Sequence, residues 1–224
     1  MKIVLFGATG MVGQGVLREC LADPGVEGVL TIGRRTTGQT HAKLREIALP
    51  DLTDYRAIAG ELSGYDACFF CLGVSSAGMS EADYRRVTVD IAVAAGQVLA
   101  ERNPQMTFVF VSGQGSDGTG KSRVMWSRVK GEAENAILAM PFKGKFAFRP
   151  GFIRPAPGIA SRTTTYRLLY AILVPLFPLL KALFPRNVTT SEAIARAMLN
   201  VARHGAPKAV LETADINAVA EARS

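Results

Sequence analysis

The chain has 224 residues and a mass of 23.9 kDa, which is long enough for one domain with a substantial buried core. Hydrophobic residues make up 48% and charged residues 20%, and this composition excludes fibrous, low-complexity and disordered proteins. Lys and Arg outnumber Asp and Glu by 26 to 19, but the basic residues are scattered and form no run that would follow a nucleic-acid backbone. An anionic small molecule accounts for this charge as well as nucleic acid does, and we expect no specific nucleic-acid binding.

Cysteines and histidines are scarce. Three cysteines are too few for a disulfide scaffold and indicate a reducing compartment. His41 and His204 do not stand at metal-ligand spacing, so no metal site is expected. The pair Cys68 and Cys71 forms a C-x-x-C, but on a strand residues three apart point to opposite faces, so two buried free thiols are expected rather than a redox disulfide.

Two apolar segments bear on location. The N-terminal run stops at Gly7, which is too short for a secretory signal. The stretch 168–180 is interrupted by two prolines and falls short of the roughly 20 residues needed to cross a bilayer. These features predict a cytoplasmic protein without a transmembrane segment. The stretch itself is compatible with a lid, core packing, a homodimer contact or a membrane-surface patch.

Short β-branched and aromatic runs alternate with segments of helical period, which is typical of βαβ units. Strands are predicted at 2–6, 28–32, 46–48, 67–71, 107–112, 145–149 and 209–212, and helices near 11–22, 53–62, 81–101, 123–139 and 190–203. A capping box of Thr189 and Glu192 is predicted to start the last helix. The pattern indicates a single α/β domain, a Rossmann-type doubly wound parallel sheet, with 151–188 as an insertion over the strand ends.

The clearest motif is glycine-rich and stands between the first strand and the first helix. It comprises Gly7, Ala8, Thr9, Gly10, Met11, Val12 and Gly13. Small residues at this spacing allow a tight turn and let backbone N–H groups approach a pyrophosphate at the helix N-terminus. The motif therefore predicts a dinucleotide-binding site.

The end of the second strand predicts which dinucleotide is bound. An NAD site usually has an acidic residue here for the ribose 2′-hydroxyl, whereas this chain has Arg34 and Arg35. Arginine suits a 2′-phosphate, so NADP(H) is preferred and NAD(H) remains the alternative. Asp51 and Leu52 are then expected near the adenine, and the segment Cys71-Leu72-Gly73 along the cofactor.

At this point the chain resembles the atypical short-chain dehydrogenases/reductases, in particular the Tat-interactive-protein-like and NmrA-like branch. The resemblance rests on the glycine motif and on Cys71-Leu72-Gly73, Val111-Ser112, Val129-Lys130-Gly131-Glu132, Phe148-Arg149-Pro150-Gly151 and Ala195-Arg196-Ala197-Met198-Leu199. It implies that Ser112 polarises a substrate carbonyl, that Lys130 holds the nicotinamide ribose, and that Pro150 and Gly151 border the cofactor.

The residue that the resemblance makes the proton donor is missing. The family's tyrosine stands four residues before the lysine, and this position is Trp126, whose indole N–H has no proton to give. A quinone-like acceptor would need no side-chain acid, and Tyr84, Tyr166 or Tyr170 is an alternative donor. The expected activity is NADPH-dependent reduction of a small carbonyl or quinone-like substrate. The alternative from another class is a non-catalytic NADPH-sensing regulator that binds a protein partner.

A competing motif runs from Gly115 to Ser122 and matches the phosphate loop of nucleotide triphosphatases. It follows the fifth predicted strand rather than the first, and no later strand ends in an aspartate placed to hold Mg²⁺. ATP or GTP binding is therefore the weaker alternative to a flexible active-site loop.

Overall fold

The computed structural model describes residues 1–156, 158, 177 and 183–222. The strands in this part of the chain are β1 (Lys2–Phe6), β2 (Gly28–Gly33), β3 (Leu44–Ala48), β4 (Ala67–Phe70), β5 (Thr107–Val111), β6 (Gly144–Arg149), β7 (Phe152–Arg154), β8 (Val188–Thr190) and β9 (Val210–Glu212). The helices are α1 (Met11–Ala22), α2 (Glu81–Arg85), α3 (Ile91–Arg102), α4 (Met125–Leu138), α5 (Ser191–His204) and α6 (Thr213–Glu221). A π-helical segment, Arg86–Asp90, joins α2 to α3.

Seven strands form one sheet in the order β3-β2-β1-β4-β5-β6-β9, and every neighbouring pair is parallel. The order reverses between β1 and β4, where Phe6 pairs with Ile32 on one side and with Phe70 on the other. Ligands of open parallel sheets bind at such a reversal, beyond the carboxyl ends of the strands. The predicted Rossmann-type doubly wound sheet is confirmed.

Helices cover both faces of the sheet, which explains why its strands are apolar at consecutive positions. Val4 and Phe6 belong to the core on one face, and Ile3 and Leu5 to the core on the other. On the first face, the ring of Phe70 lies 5.1 Å from that of Phe6 and 5.7 Å from that of Phe110. These ring contacts join β1, β4 and β5 and help to fix the register of the three strands.

The two cysteines of the C-x-x-C differ in burial. Cys68 is buried in the first core, as predicted, whereas Cys71 packs against the second core and is only partly buried; both thiols are free. Strand alternation therefore separates the two members of the C-x-x-C.

Two local predictions are wrong. The segment predicted as a helix at 53–62 is a 3₁₀ helix, Arg56–Glu61. Helix α5 is capped by Thr190, whose side chain accepts from the N–H of Ala193, and not by a box of Thr189 and Glu192. The hydroxyl of Thr189 instead donates to the side-chain oxygen of Asn217 in α6 at 2.7 Å. The local sequence pattern does not predict this tertiary contact.

The C-terminal region contains elements that the sequence did not reveal. Strands β7 and β8 pair in parallel as a small second sheet, and α6 begins with a capping box formed by Glu212 and Asp215. Most of the predicted insertion, including Tyr166, Tyr170 and the apolar stretch apart from Phe177, lies outside the described residues. None of the described helices combines the length and the hydropathy that a bilayer crossing requires.

Candidate functional site

The glycine turn brings α1 against the ends of β1 and β4. Gly7 has a φ of +77°, and a Cβ there would lie 2.6 Å from backbone atoms of Cys71 and Leu72. A Cβ at Gly13 would lie 2.0 Å from the carbonyl oxygen of Gly7. Both positions therefore require glycine, because backbone occupies the space that a side chain would need.

The N-terminus of α1 is open to a ligand. Its N-cap, Gly10, provides no side-chain hydrogen bond, and the first turn carries no acidic residue. The N–H of Gly10 donates to the carbonyl of Gly7 across the turn, and the first helical bond runs from the N–H of Gln14 to the carbonyl of Gly10. The N–H groups of Met11, Val12 and Gly13 therefore have no helical acceptors. Free N–H groups and the helix dipole together favour an anion at this end of α1.

A cavity of about 380 Å³ lies at the reversal of the strand order, next to this helix end. Its lining residues are Gly7, Ala8, Thr9, Thr31, Ile32, Gly33, Arg34, Arg35, Leu52 and Leu72. Six of them are predicted cofactor contacts. Sequence reasoning did not name Ala8 or the three residues that end β2, although Ala8 and Gly33 directly adjoin predicted contacts.

Hydrogen bonds to Glu46 of β3 fix the loop that follows β2. The Glu46 carboxylate accepts from the hydroxyl of Thr31 at 2.9 Å and from the N–H of Thr37 at 2.8 Å. Burial alone would raise the pKa of Glu46, but the hydrogen bonds from Thr37 and Thr31 outweigh it and hold the pKa below its ordinary value. Arg34 and Arg35 are exposed in the same loop, and neither is paired with a carboxylate of the described residues.

Other predicted cofactor residues lie outside this cavity. The Asp51 carboxylate accepts from the N–H and hydroxyl of Thr53, and its side chain is exposed. Gly73, the residue after Leu72, lies next to the ammonium of Lys130. The carbonyl of Pro150 accepts from the N–H of Gln114 in the loop after β5, and the N–H of Gly151 donates to the hydroxyl of Thr213 at the start of α6.

The predicted catalytic residues meet at the carboxyl ends of β4 and β5. Ser112 is buried, and its hydroxyl lies 2.8 Å from that of Ser116. The Lys130 ammonium donates to the carbonyl of Val111 at 3.2 Å, and a Cβ added at Gly73 would lie 3.8 Å from its Nζ. Trp126 lies beside the loop that follows Ser112. A Cβ added at Gly113 in this loop would be 3.8 Å from the Trp126 ring.

The environment of Lys130 changes its acidity. Burial lowers the pKa of the Lys130 ammonium to about 8, and the negative charge of Glu134 partly opposes this shift. The Nζ atom also lies 5.3 Å from the centre of the Phe110 ring. A lysine in this setting exchanges its proton near neutral pH, unlike an exposed one.

The loop from Gly115 to Ser122 is anchored rather than flexible. The hydroxyl of Ser127 donates to the carbonyl of Gly115, Asn135 donates to the carbonyl of Gly118, and a Cβ at Gly131 would lie 2.0 Å from the Asp117 carbonyl oxygen. These contacts with Ser127, Gly131 and Asn135 hold the loop against helix α4.

The same loop is not built to cradle a phosphate. The Asp117 carboxylate accepts from the N–H groups of Thr119 and Ser122 and from the Thr119 hydroxyl, and these bonds lower its pKa to about 2. The Asp117 carboxylate therefore already accepts the backbone hydrogen bonds that a nucleotide phosphate would need. Helix α4 also begins only at Met125, three residues beyond Ser122.

Of the alternative tyrosines, only Tyr84 is described. It lies on α2 in the first hydrophobic core and is 3% exposed, so a movement of its side chain would disturb the packing of α2. A role for Tyr84 as proton donor stays a prediction.

Comparison with known proteins agrees with this geometry. The family model of the NAD-dependent epimerase/dehydratase family matches residues 3–123. The mitochondrial protein fmp52 of Emericella nidulans is 30% identical over 173 residues, covering 71% of this chain and 72% of the relative. The mitochondrial protein FMP52-1 of Scheffersomyces stipitis is 28% identical over 155 residues, covering 68% and 67%. In solved structures, the fold is similar to the Bordetella bronchiseptica enzyme WbmF in complex with NAD⁺ and UDP, with a TM-score of 0.70, 17% identity and coverage of 97% of this chain and 75% of that one.

The relatives correct the prediction of a cytoplasmic location, because they are named as mitochondrial proteins. The cysteine count and the short apolar N-terminus bear on disulfides and secretion, and neither distinguishes the cytoplasm from an organelle.

The resemblance to short-chain dehydrogenases/reductases is confirmed by the family match and by the shared fold. The order of the strands, the glycine turn and the open end of α1 are what a nicotinamide dinucleotide requires. The chain belongs to the NAD-dependent epimerase/dehydratase family.

Proposed function

We propose that this protein binds NADP(H) in the crevice beyond β1, β2 and β4 and reduces a small carbonyl or quinone-like acceptor. The observation that carries the cofactor preference is the pair Arg34 and Arg35 in a cavity wall that contains no carboxylate among the described residues. An acidic residue there would accept a hydrogen bond from the ribose hydroxyl of NAD and repel a 2′-phosphate. Two unpaired guanidinium groups favour the phosphorylated cofactor instead.

The residues present fit the cofactor from end to end. The N–H groups of Met11, Val12 and Gly13 would bind the pyrophosphate, and the missing side chains at Gly7 and Gly13 let the backbone approach it. Lys130, next to Gly73, would hold the nicotinamide ribose. The cofactor supplies the hydride, and the chain binds, orients and shields the reactants.

The acceptor is inferred from the surroundings of Ser112. Its hydroxyl would orient an acceptor oxygen, while Trp126 offers a flat apolar surface where the family has its acid. Val74, the residue after Gly73, and Val124, two residues before Trp126, are 42% and 49% exposed. An apolar rim suits a planar acceptor, and a quinone can leave as a comparatively acidic hydroquinone anion.

Replacing Arg34 and Arg35 together with alanine should weaken NADPH binding and leave NADH binding nearly unchanged. Hydrogen bonds to charged groups contribute about 1.5–3 kcal/mol each, so a loss of at least about tenfold in NADPH affinity is expected. Binding can be followed by the fluorescence of Trp126, the single tryptophan, and by thermal stability.

Lys121→Ala is the matched control for this charge removal, because Lys121 belongs to the loop that is folded around Asp117. It should not change NADPH affinity. Equal losses for NADPH and NADH in the arginine variant would contradict the NADP(H) preference. Binding of Mg-ATP that is lost in Lys121→Ala would support the phosphate-loop reading instead.

Trp126→Tyr should increase carbonyl reduction with NADPH, because it restores the phenol that the resemblance places one helical turn before Lys130. General acid catalysis contributes about 100-fold or more, so even a partly aligned phenol should be detectable. The assay is NADPH oxidation with an aromatic aldehyde, with Trp126→Phe as the control that lacks the hydroxyl. No gain over Trp126→Phe would show that the family's catalytic geometry is not conserved here.

The replaced tyrosine also supports a second candidate, an NADPH-sensing regulator that binds a protein partner without turnover. Partner binding that depends on NADPH, in a protein that oxidises none, would favour this candidate over the reductase.

A further inference from the structure

A reductase of this kind must supply a proton to the acceptor oxygen. Few of the described groups at the ends of β4 and β5 can donate one. The Trp126 N–H is not an acid. The hydroxyls of Ser112 and Ser116 hydrogen-bond to each other at 2.8 Å, and Ser116 also donates to the carbonyl of Gly113 at 2.8 Å. Burial raises the pKa of the Cys71 thiol far above neutrality, so the thiol does not release its proton readily.

Lys130 is the remaining acid, and it lies next to Ser112. Its Nζ donates one hydrogen to the carbonyl of the peptide bond that joins Val111 to Ser112. No other acceptor or paired carboxylate of the described residues takes its two remaining hydrogens. The space beside it is kept open because Gly73 has no side chain, and Gly73 is exposed. The ammonium therefore has hydrogens to offer on the side where the site opens.

Resting on the reductase function proposed above, we infer that Lys130 is the proton donor of this site and takes over the task of the absent tyrosine. The acceptor carbon would take a hydride from the bound reduced cofactor, while the C=O π bond opens and its electron pair moves to the acceptor oxygen. One N–H bond of the Lys130 ammonium breaks, and its proton binds the acceptor oxygen. The products are the alcohol, or from a quinone the hydroxyketone that tautomerises to the hydroquinone, together with the oxidised cofactor and a neutral amine, which takes up a proton from water.

The charges around Lys130 fit this task. Glu134, one turn further along α4, is the carboxylate that acts on it, and that carboxylate is bound to Arg149 of β6 at 2.6 Å. The other groups that lie against Nζ, namely the Phe110 ring, the Val111 carbonyl and Gly73, are uncharged. Burial lowers the pKa of the ammonium to about 8. The group is therefore protonated and able to donate below pH 8, and it loses this ability as the pH rises through its pKa.

The first test measures this proton directly and needs no substrate. Protein labelled with carbon-13 at the lysine Cε is titrated by NMR, and the Lys130 signal is identified by its loss in Lys130→Arg. A midpoint near pH 8 is expected, separate from the bulk of the lysines. A Lys130 signal that titrates together with the exposed lysines would overturn the proposal.

The second test uses NADPH with 4-nitrobenzaldehyde and 9,10-phenanthrenequinone as probes. In Lys130→Ala, kcat for the aldehyde should fall about 100-fold or more at saturating NADPH, and methylammonium should restore part of it. The quinone should lose less, because its hydroquinone anion can leave unprotonated. In the unaltered protein, kcat for the aldehyde should fall about tenfold for each pH unit above 8, since only the ammonium donates.

Lys145→Ala is the control, because the Lys145 amine bonds to the carbonyl of Met140 at the opposite end of the sheet. It should keep the kcat of the unaltered protein for both probes. A Lys130→Ala protein that keeps its kcat once NADPH is saturating overturns the proton donor and leaves the reductase function standing. A rate loss that methylammonium does not restore also overturns it. Failure of the unaltered protein to oxidise NADPH with either probe contradicts the reductase function, and the proton donor with it.

Discussion

Gly13→Ala should strongly weaken NADPH binding. Alanine is the better helix former by about 1 kcal/mol, so helix propensity alone predicts stabilisation. The added Cβ would, however, lie 2.0 Å from the carbonyl oxygen and 2.6 Å from the carbonyl carbon of Gly7, both backbone atoms. Helix α1 must then move away from β1, and the N–H groups at its start leave the place where they could bind a pyrophosphate.

The expected loss is about 1–3 kcal/mol in the free energy of unfolding, typical of an overpacked core, together with a loss of NADPH affinity of about 100-fold or more. Urea unfolding and the fluorescence titration measure the two effects separately. Gly60→Ala is the matched control, because a Cβ at Gly60 meets nothing within 4 Å. A Gly13→Ala protein that binds NADPH like the Gly60 variant would show that α1 does not bind the cofactor.

Arg149→Met should be the most destabilising single change of a charged residue in the described part of the chain. Arg149 donates to both carboxylate oxygens of Glu134, at 2.9 Å and 2.6 Å, and Glu134 is only 2% exposed. Removing the arginine leaves a buried charge without a partner, which costs about 3–5 kcal/mol. The pair joins α4, which carries Lys130, to the end of β6, so the loss should also disturb the site.

The double variant Arg149→Met with Glu134→Leu is expected to recover much of this stability, because no buried charge remains. The exposed pair of Arg56 and Asp54 is the surface control, with side chains 90% and 39% exposed. Arg56→Ala should cost about 0–1 kcal/mol. A cost for Arg149→Met as small as that of Arg56→Ala would contradict a structural role for the buried pair.

The early part of the chain was predicted most accurately from its sequence. The bounds of β1 and α1 agree residue for residue, because a glycine at either side of the turn separates a continuous apolar run from a helical segment. The other sheet strands were placed within two residues, since buried parallel strands are short apolar runs with clear ends. Strands β7 and β8, each of three residues, were missed.

The candidate site was predictable to the extent that it is local. Gly7, Thr9, Arg34 and Arg35 were identified because a single βαβ unit carries them all, and they line one cavity. Asp51, Pro150 and Gly151 were placed at the cofactor but lie outside that cavity. Their side chains and backbone groups are engaged by Thr53, Gln114 and Thr213, partners that sequence spacing alone does not reveal.

The sequence by itself determined the class of the fold and the dinucleotide-binding turn, because glycine spacing and hydrophobic periodicity act within a few residues. Only the tertiary structure decided what the loop from Gly115 to Ser122 is, since its phosphate-loop pattern folds around Asp117 and is held by α4. Only the tertiary structure set Lys130 against the end of β5 and buried Glu134 against Arg149. These contacts join residues 15 to 19 positions apart across different elements, and the acidity of a buried group depends on such neighbours rather than on its own sequence context.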